Sequence, residues 1–252
     1  MVICSYDIGC RTRHPWWDRM LVQDYMGLLL VYLIIVLSLG LALLVEHFRN
    51  DLNVRKIVHI GVGNFVLVWW MFSEGWIMLV FFAVPFALIL FLAMFRNNLV
   101  GKGKLGELTS EKGHTTGLFF YVISIAVMIL FFFPDHWLAA SIGIVAMTYG
   151  DGMGSVIGKR FGKHRILNGK SLEGSFGVFI GTFLAALLVS ALYIWLSSTG
   201  HYVGDVNASF PIWLICILIG LWASIMEAVC PGEYDNLVIP ISTAVILVLL
   251  GL

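Results

Sequence analysis

Apolar residues run through this chain in long blocks, broken by short polar islands. A helix needs roughly 20 residues to cross the hydrocarbon core of a bilayer, with about 17 to 25 the usual range. Blocks of that size predict spans near 26–45, 57–73, 75–95, 116–133, 137–157, 174–197, 211–230 and 236–252, the last short and ending with the chain. Ser73-Glu74-Gly75 and Pro134-Asp135-His136 read as tight turns between neighbours, and Pro85 in mid-span predicts a kink. The expected fold class is all-α, a polytopic transmembrane helical bundle of about eight spans. Residues 1–25 are polar, aromatic and mixed in charge, without the cationic start and apolar core of a signal peptide. They read as an N-terminal tail, and 26–252 as a single integral-membrane domain.

Composition supports that pattern: 60% of the 252 residues are hydrophobic and 12% charged, against about 45–50% and 25% in soluble domains. The formal net charge is zero, so nothing pulls the chain globally toward nucleic acid and charge must be read locally. Cys4, Cys10, Cys216 and Cys230 lack C-x-x-C spacing and read as packing or tail residues. Twelve cations fall in three alternate loops: Arg49, Arg55 and Lys56; Arg96, Lys102, Lys104 and Lys112; Lys159, Arg160, Lys163, Arg165 and Lys170. The turns at 73–75, 134–136 and 198–210 hold no Lys or Arg, and Arg11, Arg13 and Arg19 lie in the tail. The positive-inside rule makes the loaded side cytoplasmic and puts both termini outside.

That orientation gathers the unusual polar motifs at one face. Arg55-Lys56-x-x-His59 opens the second span, where anchoring plus an interfacial histidine competes with a site role. Lys102 to Gly117 is a glycine-rich loop able to wrap phosphate oxygens, a weak signal alone. Gly150, Gly154, Gly158 and Gly162 recur every four residues, as close helix packing requires. Packing leaves Asp151 unexplained, and an intramembrane carboxylate marks a functional site by default. Asp151, Ser155 and Lys159 form a second ridge about 100° around the helix. A carboxylate beside a cationic, glycine-rich loop suits a Mg²⁺-bound polyphosphate. Lys170, Ser171 and Ser175 bracket Glu173 where the next helix begins, an arrangement that makes an anion site. In the last turn, Glu227 to Pro240, no cation accompanies Glu227, Glu233 and Asp235. Helix capping competes with a site role for Asp235 or Asn236; Glu227, which capping does not cover, is left as a metal ligand, a general base or a ribose contact.

Together, Arg55-Lys56-x-x-His59, Asp151-x-x-Gly154-x-x-x-Gly158, Lys170-Ser171-x-Glu173-Gly174-Ser175 and Glu227…Asp235-Asn236-Leu237…Pro240 resemble the phytol kinase, dolichol kinase and polyprenol kinase family. The resemblance runs in order from about residue 46 to 240. It implies a membrane kinase that phosphorylates a long isoprenoid alcohol or its monophosphate with CTP and Mg²⁺. On that resemblance Asp151 and Glu173 are metal candidates, and Asp151, Asp235, Glu227 and Lys170 catalytic ones. Arg55, Lys56, His59, Gly154, Gly158, Lys159, Lys163, Arg165, Lys170, Ser171, Ser175 and Asn236 are the nucleotide or phosphate candidates. The implied partners are the bilayer, the isoprenoid alcohol and CTP, with a homo-oligomer left open. No residue by itself reads a cytosine, so CTP rests on the resemblance. Gly158 to Lys163 also resembles the CDP-diacylglycerol synthases, but their closing Asp-Arg-x-Asp signature is missing. A small ion or solute transporter is the other alternative, and it would place ionisable groups near the bilayer midplane.

Overall fold

The structure, a computed structural model, describes residues 20–48, 54–95, 116–202, 206 and 208–252. The predicted tail up to residue 19, Arg49 and the glycine-rich loop with Arg96, Lys102, Lys104 and Lys112 lie outside the described residues, as does the side chain of Arg55. Among the described residues every regular element is helical. We label them α1 (Val22–Phe48), α2 (Val54–Gly63), α3 (Gly75–Ala93), α4 (Gly117–Phe132), α5 (Trp137–Val145), α6 (Asp151–Phe161), α7 (Leu172–Ser198), α8 (Ile212–Val229) and α9 (Asp235–Leu249). α5 runs into α6 through the π-turn Ala146–Gly150, so the two fill one predicted span. Short 3-10 turns extend α2 as far as Met71. The all-α bundle of about eight spans therefore stands. Four helices (α1, α3, α7 and α8) are long and apolar enough to cross a membrane, and shorter apolar helices accompany them.

The helices bury narrow stripes and leave wide apolar faces outward. In α1 the buried positions are Asp24, Gly27, Val31, Ile35, Ser38 and Ala42, in steps of three or four. Leu29, Val36, Leu37 and Leu44 on its other faces are exposed. Such a surface is tolerable only where lipid is the solvent, because water would drive it to aggregate. α1 begins at Val22, four residues before the predicted span, because Asp24 belongs to it: its carboxylate accepts from the Leu21 amide and from the amide and hydroxyl of Ser73.

Pro85 does distort α3. The chain takes a π-turn over Leu79–Ala83 just before it. Proline has no N–H for the Phe81 carbonyl, and the Tyr32 hydroxyl of α1 donates to that oxygen instead.

α7 is the central post, packed against both α6 and α8, while α9 packs against α4 and α5. The α6–α7 contact explains the glycine spacing. A Cβ on Gly154 would lie 2.4 Å from Val178 Cγ2, one on Gly158 would lie 3.4 Å from Gly174 Cα, and one on Gly181 would lie 2.6 Å from the Tyr149 carbonyl. Glycine on both faces lets the backbones meet, the membrane form of close helix packing.

Candidate active site

α2, α6, α7, α8 and α9 bring their charged residues to one end of the bundle. Asp151 follows directly on the π-turn, whose extra residue re-aims the helix; such turns recur at functional sites. Lys56, in the first turn of α2, donates to Asp151 Oδ2. Both side chains are largely buried, at 22% and 17% exposed. His59 lies one turn further along α2, its ring centroid 4.3 Å from that of Tyr121. Asp151 lies within electrostatic reach of His59, Lys170 and Asp235.

The second half of the site is built by the loop between α6 and α7. Asn168 and Gly169 take positive φ (55° and 73°), and the chain doubles back with a bridge between Arg165 and Ser171. The Asn168 amide donates to the carbonyls of Ala228 and Val229, at 3.2 and 2.9 Å, at the end of α8. This pin delivers Lys170 to the α8–α9 junction, where its Nζ lies 2.7 Å from Glu227 Oε1 and 3.3 Å from Asp235 Oδ2. Burial works against the Lys170 ammonium, yet Asp235 and Glu227 outweigh it and hold its pKa above the ordinary lysine value.

Three buried polar atoms here have no hydrogen-bond partner among the described residues: Glu227 Oε2, Asn236 Oδ1 and Ser175 Oγ. An unmet buried polar group costs about 1–3 kcal/mol, so these atoms point to a ligand's donors, a cation or water as their missing partners. Asp235 accepts from the Asn236 amide beside it and reaches Lys170, while Tyr234 holds the N-cap position of α9. The capping explanation therefore covers neither Asp235 Oδ2, which meets Lys170, nor the Asn236 side chain. Ser171, by contrast, is the N-cap of α7, its Oγ accepting from the Gly174 amide at 3.1 Å.

Other candidates are placed differently. Glu173 turns back on its own loop, 2.7 Å from His164 Nδ1 and accepting from the Lys163 amide. Lys159, in the last turn of α6, and Lys163 and Arg165, in the loop that follows, are exposed, and Arg165 donates to the Gly169 carbonyl at 2.9 Å. Gly154 and Gly158 serve the α6–α7 contact. No group of three His, Cys, Asp or Glu able to hold a metal occurs among the described residues. Magnesium does not require one: it keeps several waters and binds through one or two carboxylates plus substrate phosphates. Asp151 supplies one such carboxylate.

Sequence reasoning gave no role to three supports of this site. Glu233 accepts from the amide and hydroxyl of Thr116, at 2.8 and 2.6 Å, and so ties α4 to the α8–α9 turn. Tyr149, two residues before Asp151, donates to Asn64 Oδ1 at 2.5 Å. Asn168 is the pin described above, and its Asn-Gly dipeptide is a turn signal that could have revealed it.

A lipid-facing helical bundle with a buried lysine–carboxylate cluster at one end defines an integral-membrane protein with a polar site at its surface. Comparison with known proteins specifies it further. The chain is 30% identical over 219 residues to a phytol kinase of Synechocystis sp., covering 82% of this chain and 86% of that protein. It is 29% identical over 203 residues to a chloroplastic farnesol kinase of Arabidopsis thaliana, covering 76% and 63%. A dolichol kinase of Schizosaccharomyces pombe is 37% identical over 100 residues, 39% of this chain and 17% of that one. The chain belongs to the phytol and polyprenol kinase family. No family model and no solved structure matches it.

Proposed function

We propose that this protein transfers the γ-phosphate of CTP to the terminal hydroxyl of a long-chain isoprenoid alcohol at the cytoplasmic face of a membrane. The relatives named for phytol, farnesol and dolichol support the acceptor class. The observation that carries the chemistry is the convergence of Lys56, Asp151, Lys170, Glu227 and Asp235 at one end of the bundle. Phosphoryl transfer is chiefly positioning and charge stabilisation, and these groups supply both. Asp151 would hold Mg²⁺, which when bound offsets the charge of the phosphates. Lys170 and Lys56 would bind phosphate oxygens. Asp235 or Glu227 would take the proton of the attacking hydroxyl. The wide apolar faces of the helices let an isoprenoid chain approach from the bilayer, with its hydroxyl at the polar end. Clustering at one end also speaks against the transporter alternative, which would put these groups at the midplane.

The test uses γ-labelled CTP and a long-chain isoprenoid alcohol with sealed, inverted membrane vesicles. The expected product is a labelled lipid monophosphate, with CDP released. Label in pyrophosphate with a phosphatidic-type acceptor would assign the protein a cytidylyltransferase reaction instead. Activity confined to right-side-out vesicles would reverse the orientation.

A further inference from the structure

Both lysines of the site are already committed. Lys56 is bonded to Asp151, and Lys170 is shared by Glu227 and Asp235. Three carboxylates thus share two ammonium groups inside the protein, one negative charge in excess. A phosphate that takes a lysine leaves a buried carboxylate uncompensated, which is costly. A dication that approaches Asp151 meets an ammonium on the carboxylate it seeks, with twice the repulsion of a unit charge. Metal and polyphosphate entering together remove both penalties, because carboxylates go to the metal and lysines to the phosphates.

We propose that Lys56 holds the metal's place on Asp151 while the site is empty, and passes to a phosphate oxygen when metal and nucleotide bind. This rests on the reading of Asp151 as the metal carboxylate. Lysine suits such an exchange because it is a compact charge on a flexible four-carbon stem, so the ammonium can move without the helix moving. The pair lies in a largely buried environment, where charge interactions are stronger than in water. The consequence is positive coupling between metal and nucleotide, which must be reciprocal. Lys56 thereby suppresses futile binding of free metal.

The experiment is equilibrium dialysis of Mn²⁺ against the full-length protein in nonionic detergent, without nucleotide. Wild type should retain Mn²⁺ weakly, and Lys56→Met should retain it about tenfold more tightly, within the usual range of such coupling. Lys56→Arg, which keeps the charge, should behave like wild type. A merely structural Lys56 would lower stability in Lys56→Met without creating metal affinity, and that result overturns the proposal. Should Lys56→Met not fold, wild type is dialysed with and without a non-hydrolysable CTP analogue. Retention equally tight in both cases overturns the placeholder role and leaves Asp151 as metal ligand. Retention with the analogue that is unchanged in Asp151→Asn overturns the metal assignment itself.

Discussion

The two ends of the bundle use buried polar groups in opposite ways. Asp24 and Ser73 lie at one end, and Lys56 at the other, in the first turn of the helix whose 3-10 extension stops just before Ser73. There the Asp24 carboxylate accepts three hydrogen bonds, and Trp69 Nε1 donates to Ser141 Oγ and Tyr193 OH at 2.9 and 2.7 Å. Trp69 also stacks on Trp137, with ring centroids 4.2 Å apart. At the opposite end Asp151, Glu227 and Asp235 are met by flexible lysine side chains, and Glu227 Oε2 and Asn236 Oδ1 have no partner among the described residues. A carboxylate closed by two backbone amides and a serine hydroxyl holds helices in register. One balanced by lysines, beside unmet acceptors, is arranged to exchange partners. Burial and charge alone do not tell the two apart; the identity of the partner does.

The largest expected effect breaks the comparison at its two aspartates. Asp151→Asn keeps the size and removes the charge, so turnover should fall about 10²–10³-fold, the scale of losing one electrostatic contact to the reacting phosphates. The protein should still elute as a single folded species in detergent. Asp24→Asn should do the reverse, with activity per folded molecule retained and about 1.5–3 kcal/mol of stability lost with its charge-assisted hydrogen bonds. Thermal unfolding and a kinase assay on the same preparations check both. An Asp151→Asn enzyme with normal turnover would end the assignment.

Much of this was legible in the sequence, for physical reasons. Long apolar blocks can only be spans, so the helix count and all-α class followed from hydropathy and helix length. Asp151 stood out because a carboxylate inside an apolar run has few structural uses. Side-chain partners were not legible. Spacing put Arg55 and His59 on one face, whereas the residue bonded to Asp151 is Lys56. Glu173 read as a metal ligand, but its carboxylate bonds to the loop that precedes it, a contact set by the turn at Asn168. The glycine ladder announced close packing, yet only the structure shows its partner ladder on α7. Asp24 fell inside the predicted tail because its partner, Ser73, lies 49 residues away. Sequence patterns report period and environment, and long-range pairing lies beyond them.

A smaller effect sharpens the role of geometry at the charged end. Asn168→Ala removes the pin on the Ala228 and Val229 carbonyls without touching any charged group. Lys170 then loses its fixed approach to Glu227 and Asp235. A misplacement of this kind, outside the chemistry, costs up to about 10²-fold; roughly a tenfold rise in KM for CTP is expected, with folded protein retained. Initial rates against CTP concentration measure it. Unchanged KM and kcat would show that the loop holds Lys170 without Asn168.

The smallest effect is a pH dependence confined to one end. Asp235 and Glu227 hold the pKa of Lys170 above its unfolded value, which lies near 10.4. A group whose folded pKa is raised contributes stability that is fully present below the unfolded pKa and is lost as pH rises through the folded one. The stability difference between wild type and Lys170→Met should therefore stay flat from pH 8 to about 10 and shrink above that. Taking the difference removes the tyrosines and other lysines, which titrate in both proteins. Trp69→Phe supplies the control from the other end, because an indole has no proton to lose in this range. Its stability difference of about 1 kcal/mol, for a lost hydrogen-bond donor, should not vary with pH. Thermal unfolding in detergent across pH 8 to 11.5 measures both differences. A Lys170→Met difference that stays constant to pH 11.5 would mean that the ammonium gains nothing from its two carboxylates. The contrast between the two ends would then reduce to a difference in hydrogen bonding alone.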